Sequence, residues 1–147
     1  NYGDCILYSG TVAAAEEGVL WGIPSVALSR VGSGGAFGSA VEYLCDNVET
    51  LPTLCTPHTF VNINVPDLPM AEIKGVKVVP QCHCRLFNDY FLSHGEDVWF
   101  ATGDRIAVTH LDSDVAVVDD GYIAVTPLTI LRTADSQIAV LKEKLEK

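Results

Sequence analysis

Basic residues are scarce in this sequence. Its 147 residues include 9 lysines and arginines against 19 aspartates and glutamates, which gives a formal net charge of −10. Non-specific binding to nucleic acid or to an anionic membrane needs a basic face that releases counterions, and the composition offers none. The one basic group, Lys142, Lys144 and Lys147, suits the negative end of a helix better than a binding patch. We therefore expect neither nucleic acid nor membrane as a partner.

Long hydrophobic runs are also missing. Hydrophobic residues make up 48% of the chain, yet no apolar run approaches the ~18 residues that a membrane-spanning helix requires. No basic and apolar signal-peptide pattern opens the chain. The single methionine is Met70, so residue 1 is not a translational start. We expect one soluble, globular domain whose N-terminus was processed or which is a piece of a longer protein.

Cysteines are few and show no framework spacing. The odd count of five favours reduced thiols and a cytoplasmic location. Cys82-His83-Cys84, with His94 further on, raises a weak alternative, a zinc site. A matching second pair is missing, and the stretch has the pattern of an edge strand entering a hairpin. We expect no zinc site there.

Familiar catalytic and nucleotide motifs are absent as well. The sequence has no G-x-S-x-G nucleophile elbow, no G-x-G-x-x-G fingerprint and no Walker pattern. Residues 32–35 are glycine-rich, but a plain linker is the favoured interpretation. We assign no catalytic residue and no general base, because the histidines fall in predicted loops and hairpins: His58, His83, His94 and His110.

Near the start of the chain, a polar turn leads into a helix. Ser9-Gly10-Thr11 separates the apolar run 5–8 from residues that favour helix. Ser9 or Thr11 can cap that helix, and the first free N–H groups with the positive end of the dipole form an anion site. Gly10 lets a ligand approach the backbone closely. On local grounds alone, a capped surface helix without a ligand remains the alternative.

Helices and strands alternate through the first half of the chain. The predicted elements are a helix to about Leu20 ended by Gly22, a buried parallel strand 23–29, a helix 36–50, a half-buried strand 60–65 and a strand 76–79. In the second helix, Phe37, Val41, Leu44 and Val48 are predicted to face the sheet. Asn62 and Asn64 share one face of their strand. They either contact a ligand or, as we favour, pin the backbone of an adjoining loop.

Short strands and turns predominate in the second half. The pattern predicts strands at 85–92, 98–101, 105–110, 114–118 and 122–126, with turns at 93–97, 102–104 and 119–121. Exposed aromatics are expected on the hairpins at Tyr90, Phe91, Trp99 and Phe100. Thr133 is predicted to cap a final helix, with Ile138, Leu141 and Leu145 on one face.

Three motifs occur in order along the chain. They are N-x-G-D followed by L-Y-S-G-T-V-A-A-A-x-E-G at 1–18, N-x-N-V-P-D-L-P at 62–69 with I-K-G at 73–75, and G-Y-x-A-x-T-P-L at 121–128. Together they resemble the SurE family of survival proteins, which are metal-dependent nucleoside-monophosphate phosphatases. The resemblance is poor at 31–36 and 82–113.

This resemblance implies a fold and an assembly. The fold is the C-terminal part of an α/β, Rossmann-like three-layer sheet with a projecting β-hairpin arm and a C-terminal helix. Residues 1–81 would belong to the core, and residues 82–147 would form the arm and a swapped helix that build a homodimer or tetramer. Packing of the helix on its own chain stays the alternative.

The resemblance also implies a site. Asn1, Ser9, Gly10 and Thr11 would contact the phosphate, and Asp4 would either orient them from behind or cap its own loop. A divalent metal, Mg²⁺ or Mn²⁺, is expected, with its ligands upstream of Asn1 and none in this chain. The implied function is hydrolysis of nucleoside 5′- and 3′-monophosphates. The alternative is a non-catalytic fragment that binds an anion and oligomerises.

Overall fold

A computed structural model describes residues 1–32, 34 and 37–146. One sheet has four strands in the order β1 (Val26–Val31), β2 (Thr59–Pro66), β6 (Ile123–Thr129) and β3 (Val76–Val78). β1 runs parallel to β2 and β3 parallel to β6, whereas β2 and β6 are antiparallel. A separate hairpin pairs β4 (Phe87–Ser93) with β5 (Trp99–Arg105). The predicted linker residues Ser33 and Gly35 and the predicted helix start Ala36 lie outside the described residues, as do Lys147 and the side chain of Phe100.

Helices cover both faces of the larger sheet. The α-helices are α1 (Gly10–Leu20), α2 (Gly38–Asn47), α3 (Asp114–Asp119) and α4 (Asp135–Leu145), and short 3₁₀ helices occupy Gly3–Tyr8, Leu51–Leu54 and Met70–Glu72. Phe60 of β2 packs with α1, while its neighbour Val61 packs in the cluster that includes Ala40 of α2. Successive strand residues point to opposite faces, so the two helices lie on opposite sides. The predicted three-layer α/β architecture is confirmed.

Strand β2 lies deeper than its alternating pattern predicts. All of its residues from Phe60 to Pro66 are buried, so the prediction of a half-buried strand was wrong. Asn62 and Asn64 are fully buried because the N-terminal segment covers them, and the Asn1 carbonyl accepts a hydrogen bond from the Nδ2 of each. The alternating polar residues of β2 therefore form hydrogen bonds inside the protein, and the face that they share is not exposed to solvent.

Helix α2 presents a different face from the predicted one. Phe37, Val41 and Val48 are 63%, 52% and 56% exposed, so only Leu44 of the four predicted residues packs against the sheet. The helix begins at Gly38, and its buried residue is Ala40. A small side chain at the contact lets the helix approach the sheet closely, which turns the larger residues toward solvent.

Strand β5 is longer than predicted. The expected turn at 102–104 is absent, because β5 continues from Trp99 to Arg105 in register with β4. Asp89 pairs with Gly103, and Phe87 pairs with Arg105. The hydrogen bonds of this ladder outweigh the turn preference of Thr-Gly-Asp.

The predicted strand at 114–118 is the helix α3. Ser113 caps it, with its Oγ accepting the N–H of Ala116 at 3.4 Å. Val115, Val117 and Val118 are all buried. Their β-branched side chains favour a strand in isolation, but the cap and the burial of this face select the helix.

The final helix begins later than predicted. α4 starts at Asp135 after Ala134, which makes no side-chain capping bond, so the prediction that Thr133 caps it was wrong. None of the described residues of α4 is buried, and Lys142 and Lys144 occupy its last turn.

Cysteine pairing also differs from expectation. Cys82 and Cys84 form a disulfide, which corrects the expectation that all five thiols are reduced. Cys5, Cys45 and Cys55 are free. Among the described residues, no helix is long and apolar enough to cross a bilayer.

Candidate phosphate-binding site

Ser9 forms the N-terminal cap of α1. Its Oγ accepts the N–H of Val12 at 3.1 Å, and its carbonyl accepts the N–H of Ala13 at 2.9 Å. Since Oγ acts here as an acceptor, its hydroxyl hydrogen is available for a ligand. The prediction of a capped helix start is confirmed for Ser9, whereas Thr11 lies inside the first turn.

Gly10 and Thr11 complete the turn on its open side. Both residues are exposed, whereas Ser9 is buried. A Cβ built on Gly10 would meet no described atom within 4 Å, so solvent or a ligand has free access to this backbone. The N–H groups of the first turn of a helix lack intrahelical acceptors and carry its positive end. The turn therefore offers backbone donors and two hydroxyls to an anion.

Asn1 is fixed against the sheet. Its Nδ2 donates to Ser29 Oγ at 2.8 Å, and its carbonyl accepts from Asn62 Nδ2 at 2.9 Å and Asn64 Nδ2 at 3.1 Å. The two buried asparagines thus pin a backbone segment, as the favoured interpretation predicted, but the segment is the N-terminal one at Asn1 and not the loop adjoining their own strand.

Asn1 and the Ser9 turn stand at opposite ends of one short helix. The 3₁₀ helix Gly3–Tyr8 has six residues, a length of about 12 Å at the usual rise. Ser9, Gly10 and Thr11 are brought together directly, while Asn1 lies on the sheet beside β1 and β2. One N–H of the Asn1 amide is engaged by Ser29, and the second is available.

Asp4 ties this 3₁₀ helix to the segment that enters the hairpin. Both of its carboxylate oxygens lie 3.3 Å from the backbone nitrogen of Leu86. Its charge also acts on the adjacent Cys5. Burial raises the pKa of the Cys5 thiol, and the Asp4 carboxylate raises this pKa further.

A residue that sequence reasoning missed holds the other end of the same helix. Asp114 is fully buried, and its carboxylate accepts the N–H groups of Gly3 at 2.9 Å, Cys82 at 2.8 Å and Val115 at 2.8 Å. Gly3 has φ +55°, and a Cβ on it would lie 2.7 Å from Leu86 Cδ1. The available signal was Ser113-Asp114, a cap followed by an acidic first turn, which the strand prediction obscured.

A small cavity opens beside Ser9. Its volume is about 160 Å³, and Val12, Glu16 and Arg132 contribute to its walls. Arg132 Nη2 and Glu16 Oε2 pair at 2.6 Å, so the two charges at the rim largely offset each other. Among the described residues, no group of three or more His, Cys, Asp or Glu side chains is arranged to hold a metal ion.

The family model of survival protein SurE matches residues 1–88. The chain belongs to the SurE family. The matched SurE region contains Asn1, the Ser9 turn, β1 and β2, and it ends as β4 begins. It therefore includes every residue for which a phosphate contact was predicted.

Curated SurE relatives align over nearly the whole chain. The 5′/3′-nucleotidase SurE of Proteus mirabilis is 36% identical over 153 residues, covering 100% of this chain and 59% of the relative. The 5′-nucleotidase SurE of Petrotoga mobilis is 37% identical over 153 residues, covering 99% of this chain and 60% of the relative. The chain thus spans about 60% of the length of these SurE relatives.

A solved SurE structure has the same fold. The crystal structure of the SurE protein from Aquifex aeolicus superposes with a TM-score of 0.82 at 30% identity, covering 100% of this chain and 61% of that chain. The Rossmann-like fold class predicted from the sequence is confirmed by this match.

Proposed function

We propose that the full-length protein carrying this chain is a phosphomonoesterase that hydrolyses nucleoside 5′- and 3′-monophosphates. Ser9, Gly10 and Thr11 hold the phosphate in this proposal. Its main support is the capped N-terminus of α1, where Ser9 Oγ accepts from Val12 and keeps its hydroxyl hydrogen for the ligand. The names of the relatives, 5′-nucleotidase and 5′/3′-nucleotidase, specify the reaction class.

The contacts follow from the donors that this turn displays. The phosphate lies over the open backbone at Gly10, which a Cβ would otherwise cover. Ser9 and Thr11 donate their hydroxyls, and the first-turn N–H groups add the field of the helix. Donors fixed in place before the reaction stabilise the charge that develops on the phosphoryl oxygens. Asn1 stays part of the proposal through the amide N–H that Ser29 leaves available, but it faces the ligand from the opposite end of the 3₁₀ helix. Asp4 and Asp114 keep this helix in position.

The described residues do not fit a magnesium or manganese site. Hard divalent cations prefer carboxylate oxygens, whereas the polar cluster at Asn1, Asn62 and Asn64 supplies neutral amide groups. Its unpartnered oxygen, Asn62 Oδ1, is buried. We assign no catalytic step to a metal within these residues. The proposal includes Mg²⁺ or Mn²⁺ as a cofactor, as the family resemblance implies, bound by residues outside this chain.

The proposal also includes a homodimer or tetramer in the cytoplasm. On α4, Ile138, Leu141 and Leu145 are 41%, 52% and 75% exposed, and the hairpin exposes Leu92 and Trp99. Such faces are stabilised when another surface covers them. Residues 82–147 supply this proposed interface, although their segments α3 and β6 also belong to the core.

Two matched serines test the phosphate role. Ser9 and Ser113 both cap helices through their side chains, so Ser→Ala at either position should lower the free energy of unfolding by about 1 kcal/mol. Only Ser9→Ala should also reduce Mn²⁺-dependent phosphate release from a nucleoside monophosphate, by roughly 100-fold in kcat/KM. Equal effects of both variants on turnover would contradict the assignment.

The alternative is a non-catalytic fragment that binds an anion and oligomerises. The exposed apolar residues of the hairpin and α4 favour it. The alternative would be supported if the full-length protein binds inorganic phosphate but releases no phosphate from any nucleotide with either Mg²⁺ or Mn²⁺. This result would contradict the proposed phosphomonoesterase.

A further inference from the structure

A second cavity adjoins the Ser9 turn. Its volume is about 760 Å³, and most of its walls are apolar or aromatic. The lining residues are Tyr8, Phe87, Asp89, Phe91, Thr102 and Gly103. One wall is therefore the end of the 3₁₀ helix, and the other is the hairpin.

The cavity lies directly next to the turn that carries the proposed phosphate site. Tyr8 is bonded to Ser9, and its side chain is 88% exposed. A ligand that covered this aromatic ring would bury apolar surface, which is stabilising. A ligand anchored at Ser9 would lie within reach of this ring.

The hairpin presents a flat face to Tyr8. Phe87, Asp89 and Phe91 alternate along β4, so their side chains lie on the same face. Gly103 is opposite Asp89, and a Cβ on it would lie 3.0 Å from Asp89 Oδ1. Because Gly103 has no side chain, the cavity stays open beside the Asp89 carboxylate.

The two walls are fixed relative to each other. Asp4 accepts the N–H of Leu86 directly before β4. Ile106, directly after β5, donates its N–H to the carbonyl of Leu86 at 2.7 Å. Leu86 itself is 1% exposed. The base of the hairpin is thus anchored to the same 3₁₀ helix that carries Tyr8.

From this arrangement we infer that the cavity is the nucleobase subsite of the enzyme, with the base stacked on Tyr8 and Phe91. The inference rests on the proposed function and specifies the part of the substrate beyond the phosphate. Aromatic rings stack on any nucleobase, so stacking provides affinity without distinguishing one base from another.

Asp89 provides the selection among bases. A carboxylate only accepts hydrogen bonds, and guanine offers two adjacent N–H donors on its Watson–Crick edge. Adenine and cytosine each offer one donor beside an acceptor. Asp89 Oδ2 lies 3.5 Å from Arg85 Nη2, and this exposed pair leaves the carboxylate accessible. The subsite therefore favours guanosine monophosphate.

The first experiment compares substrates with and without a base. In the full-length protein, Tyr8→Ala should raise KM for guanosine monophosphate about tenfold, with KM for ribose 5-phosphate unchanged. Tyr8→Phe keeps the stacking face and should restore the wild-type KM. Asp89→Asn should reduce the preference for guanosine over adenosine monophosphate. Trp21→Ala removes an aromatic residue that is 75% exposed and outside the cavity lining, and it should alter neither KM.

Binding of guanosine alone separates the two proposals. Titration by calorimetry should show binding to the wild type and loss of binding in Tyr8→Ala, whether or not the protein turns over. Guanosine binding without any phosphate release would preserve the subsite and reject the phosphatase. Phosphate release with equal KM values in wild type and Tyr8→Ala would overturn the subsite. A Tyr8→Ala protein that binds guanosine normally but dissociates in sedimentation would also overturn it, and would assign the cavity to a second copy of the chain.

Discussion

Asp114 and Gly3 are 111 positions apart, and the Asp114 carboxylate accepts the Gly3 N–H at 2.9 Å. The same buried carboxylate accepts from Cys82 and Val115. It thereby joins three segments: the start of the 3₁₀ helix, the connection between β3 and the hairpin, and α3. Because the 3₁₀ helix leads to Ser9, the position of the phosphate turn depends on a residue that never contacts the proposed ligand.

Replacement of Asp114 should destabilise the protein strongly. Asp114→Ala leaves three buried N–H groups without an acceptor, and we expect the free energy of unfolding to fall by about 3–5 kcal/mol. Urea denaturation of the full-length protein measures this change. Asp119→Ala is the control, because the ion pair of Asp119 with Arg105 is exposed and its loss should cost less than about 1 kcal/mol. Equal losses in the two variants would show that Asp114 has no special role.

Ser9→Asp should separate capping from phosphate binding. Aspartate is as good an N-cap as serine, so its carboxylate can accept the Val12 N–H and the thermal midpoint should change little. The added negative charge lies where the phosphate would bind, and phosphate affinity should fall by at least about tenfold, or ~1.4 kcal/mol. Isothermal titration with inorganic phosphate tests this. Unchanged affinity would place the anion elsewhere.

Thr126→Val should stabilise the protein. Thr126 is 1% exposed, and its Oγ1 has no hydrogen-bond partner among the described residues. Replacing an unpaired buried hydroxyl by a methyl group removes a desolvation cost of about 1 kcal/mol. In the control Thr129→Val, the lost hydroxyl donates to His58 and accepts from Leu131, so stability should fall. Thermal unfolding of both variants measures the difference, and a loss of stability in Thr126→Val would mean that a partner satisfies this hydroxyl.

The local signals in the sequence predicted the helix start at Ser9 and the alternation of helices and strands. A Ser-Gly-Thr turn before strong helix formers is enough to predict where the helix begins. This prediction depends on a few neighbouring residues and on no contact with residues distant in sequence. β3 and β6 were predicted for the same reason, since short apolar runs between turn residues define them.

Errors arose where tertiary contacts outweighed local preference. The valines of α3 favour a strand, and only their burial together with the Ser113 cap makes a helix. The stripe of α2 was misassigned because the buried residue of this helix is Ala40, a small residue, and not one of the larger apolar residues. The hydrogen bonds of Asp114 reach residues far away in sequence, and no pattern within a short window reveals them. The same applies to the cavity between Tyr8 and the hairpin.

Cys5 should react slowly with alkylating reagents. Burial raises the pKa of its thiol, and the Asp4 carboxylate raises this pKa further. Because the thiolate is the reactive form, a smaller thiolate fraction at pH 8 means slower reaction. Under native conditions, peptide mapping after brief iodoacetamide treatment should show Cys45, which is exposed, labelled before Cys5. Cys82 and Cys84 should take up label only after reduction of their disulfide.

Asp4→Asn provides the matched test of the charge effect. Removing the negative charge should lower the Cys5 pKa, so its alkylation at pH 8 should become faster and the pH midpoint of the reaction should move down. The Cys45 rate in the same sample serves as an internal control, since Cys45 lies on α2 and Asp4 on the 3₁₀ helix Gly3–Tyr8. If both rates increase together, the substitution has loosened the fold. If only Cys5 accelerates, the Asp4 carboxylate acts on the thiol through its charge, as the geometry of the 3₁₀ helix indicates.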